Sequence, residues 1–106
     1  MNTKAKGRRT EKKCIELLRS QGYLAESVER GGRFRKDKDL WDYWDVITIK
    51  EQLNGAVIRL IQVKTNKSGQ KWKAPLKKFA WKYRSPKISY EIWNWIDRKG
   101  FTIEVL

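Results

Sequence analysis

The chain has 106 residues, the size of one domain, and its 25 Lys and Arg against 12 Asp and Glu give a net charge of +13. It has no histidine and one cysteine, which excludes Ser-His-Asp and Cys-His catalysis, histidine-base nucleases, His- or Cys-rich zinc sites and a disulfide framework. No apolar run approaches the roughly 18 residues of a membrane span, the start lacks the apolar stretch of a signal peptide, and the lone cysteine suits a reducing cytoplasm.

Met1 to Arg9 reads as a basic lead-in. A helix is predicted from about Thr10, or a few residues earlier, to Gln21. Glu11, Cys14, Ile15 and Leu18 recur at helical spacing, and Gly22 suits the stop. Tyr23 to Glu29 reads as a short strand. Arg30 to Leu40 is a loop dense in Gly, Arg, Lys and Asp, either a DNA-contacting loop or a plain surface loop. Tyr43 to Lys50 is a strand rich in β-branched residues, Leu53-Asn54-Gly55 is a turn, and Ala56 to Thr65 returns antiparallel. Asn66 to Lys73 is a basic polar loop around Ser68-Gly69. Pro75 opens a second helix that runs to Arg84, with Leu76, Phe79, Ala80 and Tyr83 as its apolar stripe. Lys87 to Ile96 and Phe101 to Val105 make a final strand pair. The order is α-β-β-β-α-β-β, with no repeat, linker or second domain.

The charge points to a polyanion. Lys and Arg meet phosphates, and six Trp offer stacking surfaces, so nucleic acid is the favoured partner over a membrane. Trp93 and Trp95 share one strand face and Ile92 and Ile96 the other; one face belongs to the core, and the other is a candidate dimer surface. Cys14 belongs to the core.

The polar residues of the apolar strands form a constellation. Gln62 and Lys64 alternate onto one face, with Ile58 and Leu60 behind them. A hairpin brings Asp45, at the start of the preceding strand, near that pair. Glu11 lies on the helix stripe and faces the body of the protein. Each residue also has a plain structural role open to it: Asp45 as a strand-start cap, Lys64 as an exposed strand end, Gln62 bonded to backbone, Glu11 offsetting the helix dipole. Asp39 and Asp42 are flanking acids, either solvated or supplying carboxylate charge.

Gly7-Arg8-Arg9-Thr10-Glu11, Asp45-Val46-Ile47 and Ile61-Gln62-Val63-Lys64, with Lys38-Asp39-Leu40-Trp41 before Asp45, carry a resemblance. From about Gly7 to Arg84 the chain resembles the PD-(D/E)xK nuclease superfamily, and within it the archaeal-type Holliday-junction resolvases and their phage and viral relatives. Trp44 stands where the family has Pro, and Gln62 stands where it has its second acid. The Gln62 carbonyl can still ligate a metal but brings no charge.

The resemblance implies an α/β fold, a mixed central sheet flanked by helices with a restriction-endonuclease-like core, and residues 1–106 as one nuclease domain. It implies Glu11, Asp45, Gln62 and Lys64 as catalytic residues. Glu11, Asp45 and Gln62 would hold Mg²⁺, with Mn²⁺ as a substitute, and Lys64 would orient the attacking water or steady phosphoryl charge. DNA contacts are expected from Arg8, Arg9, Arg30, Arg33, Arg35, Lys36, Lys67, Lys71 and Lys73. The implied protein is a homodimeric endonuclease of DNA recombination and repair, cutting four-way junctions in a prokaryotic cytoplasm or that of a phage or viral host. The competing functions are a less selective nuclease of restriction or repair type, a non-catalytic DNA-binding relative, and a basic RNA-binding protein of another fold. An Asp45/Gln62/Lys64 cluster separates all but the last from it.

Overall fold

The computed structural model describes residues 3–28, 41, 43–53 and 55–106, with side chains from Gly7 onward. Helix α1 spans Thr3–Ser20, so the basic lead-in is helical from Thr3 onward. Lys, Ala and Arg favour helix there, and Gly7 costs only about 1 kcal/mol against Ala. The helix stops at Gly22, whose φ is +91°. The Tyr23 and Gly22 amides donate to the Leu18 and Arg19 carbonyls at 3.1 and 3.0 Å, a double closure that needs the left-handed residue between.

Strands β1 (Leu24–Ser27), β2 (Val46–Gln52) and β3 (Gly55–Thr65) follow, then a 3₁₀ turn (Lys71–Lys73), helix α2 (Ala74–Lys82), and strands β4 (Ile88–Ile96) and β5 (Gly100–Val105). This is the expected order. The five strands lie in sequence order in one sheet. Neighbours are antiparallel except β3 and β4, which are parallel. That pair needs a crossover, and the segment carrying α2 supplies it. The Asn54 of the predicted hairpin turn lies outside the described residues, as do residues 29–40 and 42.

The sheet has two apolar faces. Cys14 and Leu18 of α1 pack on one, with Ala25, Val46, Ile61, Val63 and Trp93. Leu76 and Ala80 of α2 pack on the other, with Trp44, Leu60, Tyr90 and Ile92. The alternation of Leu60, Ile61 and of Ile92, Trp93 between the two cores is the period of a doubly covered strand. Trp93 therefore cannot be the dimer surface: it is 1 % exposed beneath α1, and truncating it to Ala would cost roughly 3–5 kcal/mol. Trp95 is half-buried against Phe101, with the Lys13 ammonium 4.1 Å from its ring. Tyr83, expected on the apolar stripe of α2, lies beyond the end of that helix and is exposed.

Under α1, Arg59 of β3 reaches Glu91 of β4 through two bonds, Nε to Oε2 at 2.7 Å and Nη2 to Oε1 at 2.6 Å. Ser89 Oγ and Trp93 Nε1 also donate to that carboxylate, at 2.7 and 2.9 Å. Burial pushes the Glu91 carboxyl upward, but bonds from Arg59, Trp93 and Ser89 outweigh it and hold it below the ordinary value. Among the described residues, no helix is long and apolar enough to cross a membrane.

Candidate active site

Strand β2 begins at Val46, later than the sequence suggests, because the chain bends at Asp45. Trp44 enters the core beneath α2 and Val46 the core beneath α1, so two residues that would share a face of a straight strand are parted there. Asp45 is tied on both sides. Its carbonyl accepts from the Val28 amide at 2.9 Å, and its own amide donates to the Ile61 carbonyl at 2.9 Å. Its carboxylate Oδ2 accepts the Val63 amide of β3 at 2.8 Å. The bond is buried and takes up a backbone donor at the end of the β2–β3 ladder.

This places the carboxylate over Gln62. The Gln62 amide is satisfied when its nitrogen faces Asp45 Oδ2, at 3.3 Å, and the Tyr43 carbonyl, while its oxygen accepts from Lys64 Nζ at 3.0 Å. Asp45, Gln62 and Lys64 thus form one connected polar chain. Asp45 and Gln62 are buried and Lys64 is half-buried, which is the cluster anticipated from strand alternation and the hairpin. The Lys64 ammonium lies 5.8 Å from the Trp72 ring.

Glu11 comes from α1. One residue before it, the buried Thr10 hydroxyl meets the Thr65 hydroxyl at 2.7 Å, pinning the helix to the residue that follows Lys64. Cys14, one turn further along, reports the field between helix and sheet. Burial pushes its thiol up to about 12, Arg59 opposes this, and the charges of Glu91, Glu11 and Asp45 add to it. Among the described residues, no three His, Cys, Asp or Glu side chains gather into a metal-binding group.

The predicted DNA contacts divide. Arg8 and Arg9 are exposed on α1, and Lys67 and Lys71 are exposed beyond β3. Lys73 is half-buried and pairs with Glu104 at 2.7 Å, so its charge is already engaged by β5. Arg30, Arg33, Arg35, Lys36, Asp39 and Asp42 lie outside the described residues. Sequence reasoning missed the Tyr43 carbonyl and the Thr10–Thr65 pair. A carbonyl leaves no signal in residue identity, and the two hydroxyls meet only because α1 crosses the end of β3.

No family model and no curated protein matches the sequence. Among solved structures, the chain is similar to the 1.6 Å structure of Hjc, a Holliday junction resolvase from the archaeal hyperthermophile Archaeoglobus fulgidus. The TM-score is 0.59 at 18 % identity, over 93 % of this chain and 76 % of that one. The chain shares the α/β fold of that structure, which is the fold its motifs imply.

Proposed function

We propose that this chain is a divalent-metal-dependent DNA endonuclease that cuts four-way junctions as a homodimer. The observation that carries this is the Asp45–Gln62–Lys64 cluster at the end of the β2–β3 pair, on a fold similar to that of a Holliday junction resolvase.

The donors suit a hard cation. They are oxygens only, the carboxylates of Glu11 and Asp45 and the amide oxygen of Gln62, and so few protein ligands suit Mg²⁺, which keeps much of its water. Mn²⁺ would take the same set. The bound ion supplies Lewis acidity to phosphodiester hydrolysis. A half-turn of the Gln62 amide, about a soft terminal torsion, brings its oxygen to the Asp45 side. Lys64 then turns from the amide oxygen to the phosphoryl oxygens of the substrate. The Val63 amide fixes Asp45 throughout.

Arg8, Arg9, Lys67 and Lys71 supply phosphate contacts, and residues 30–36 are proposed to add to them. Two-fold symmetry would set two such sites on opposed strands of a junction, which is larger than one domain of this size spans. A second reading, a DNA-binding relative without catalysis, is favoured by Gln62 in place of an acid and by the structural bond that Asp45 makes.

Cleavage of junction, duplex and single-stranded DNA, with and without Mg²⁺, decides between them. Mg²⁺-dependent cutting of the junction is expected. Tight junction binding, falling with salt by about 0.9 log unit per phosphate contact and tenfold change in salt, with no cleavage under any metal, would establish the second reading.

A further inference from the structure

On the α2 face of the sheet, Leu60, Gln62 and Lys64 occupy successive same-face positions of β3, about 7 Å apart. At Leu60 the surface opens into a pocket of about 520 Å³, lined by Trp41, Phe79, Tyr83, Arg84, Ile88 and Tyr90 as well. That volume lies within the range of small-ligand sites. Its walls are mostly aromatic rings. Trp41 stacks on Phe79 at 5.7 Å and 29°, and Phe79 meets Tyr83 at 4.7 Å. Trp41 is 60 % exposed and Tyr83 51 % exposed, so both keep ring surface for a further partner. Trp41 also holds φ at +53°, a left-handed conformation that a bulky side chain rarely adopts.

The rim is cationic. The Arg84 guanidinium lies 4.1 Å from the Trp81 ring, and Lys82 Nζ lies 5.5 Å from the Tyr83 ring. A second copy of this chain seated here would bring like charges together, whereas a nucleic acid strand brings phosphates to the rim and a flat ring to the pocket.

We propose that this pocket takes one unstacked nucleobase of the DNA strand, held against Trp41 and Tyr83 about one strand repeat from the Gln62–Lys64 pair. The site deepens the nuclease reading and rests on it. It fits the exchange point of a junction, where a base leaves its stack more easily than within a continuous duplex.

The test is binding of a four-way junction in EDTA, once with all bases intact and once with abasic nucleotides at the exchange point. Trp41→Ala is expected to weaken binding to the intact junction about 10-fold, and Trp41→Tyr to restore most of it. Tyr83→Ala, an independent exposed position, should lose affinity in the same direction. The abasic junction should bind the unaltered protein and all variants alike, with the salt dependence unchanged throughout. Full affinity of both alanine variants for the intact junction would overturn the pocket while leaving the nuclease reading standing. Sedimentation in which Trp41→Ala turns a dimer into a monomer would assign the pocket to a second copy instead. An unaltered protein that binds no junction would overturn both the pocket and the nuclease reading.

Discussion

Arg59 and Gln62 stand close together on β3, on opposite faces of the sheet, and the polar groups around them differ in kind. Glu91 receives Arg59 twice, together with Ser89 and Trp93, so its carboxylate is committed to the protein. Around Gln62 the bonds join the segment just before β2 to the end of β3, and the amide satisfies Lys64 on one side and Asp45 on the other. Turning that amide over breaks both links without moving the backbone. A closed network of buried charges fixes how strands meet. One that a single torsion can rearrange is suited to taking up substrate.

The largest expected effect is on folding. Glu91→Ala leaves the half-buried Arg59 without its partner and should cost about 3 kcal/mol, read as a lower urea midpoint. The double variant Arg59→Met/Glu91→Leu should lose far less. Equal losses would mean that the pair is not a closed unit. Lys64→Met should do the opposite: cleavage falls about 10²- to 10³-fold, while the urea midpoint barely moves. A large loss of stability there would erase the contrast between the two clusters.

Acid sharpens it further. The Glu91 carboxyl is held below its ordinary 4.5, so its contribution is complete above that value and is lost as pH falls through the depressed one. The urea midpoint should hold down to about pH 5 and then drop, and the drop should be shallower in Glu91→Gln. The smallest effect is expected from Gln62→Glu, which puts a carboxylate where the resolvase motif has one. Cleavage should be unchanged or a few fold faster, with tighter Mg²⁺ binding by titration. Inactivation of a working enzyme by this change would end the account of Gln62 as a ligand through its oxygen.

Strand alternation and one hairpin were enough to bring Asp45, Gln62 and Lys64 together, because Asp45 immediately precedes β2 and the other two lie on β3, its antiparallel partner, whose pairing is local. Arg59 and Glu91 were not legible in the same way. They meet across the parallel β3–β4 pair, whose register, Ile61 opposite Glu91, is set by a crossover that no local pattern encodes. The same gap left the face of Trp93 open. Alternation put it opposite Ile92, but only the packing of α1 decides that both faces of β4 are covered. The early start of α1 and the late start of β2 were boundary matters. The first followed from helix-favouring residues with no stop signal, and the second from a bend at Asp45 that a propensity pattern reads straight through.

The buried thiol on α1 has a practical consequence. Cys14 has no exposed surface, and burial holds its thiol near 12, so at neutral pH it is almost wholly protonated and shielded from reagents. It is also the chain's sole cysteine. A cysteine introduced at the exposed Ser68, in the loop after β3, would therefore be the one thiol that a maleimide dye reaches in the folded protein. The native sequence is ready for single-label fluorescence without first removing a residue from its core.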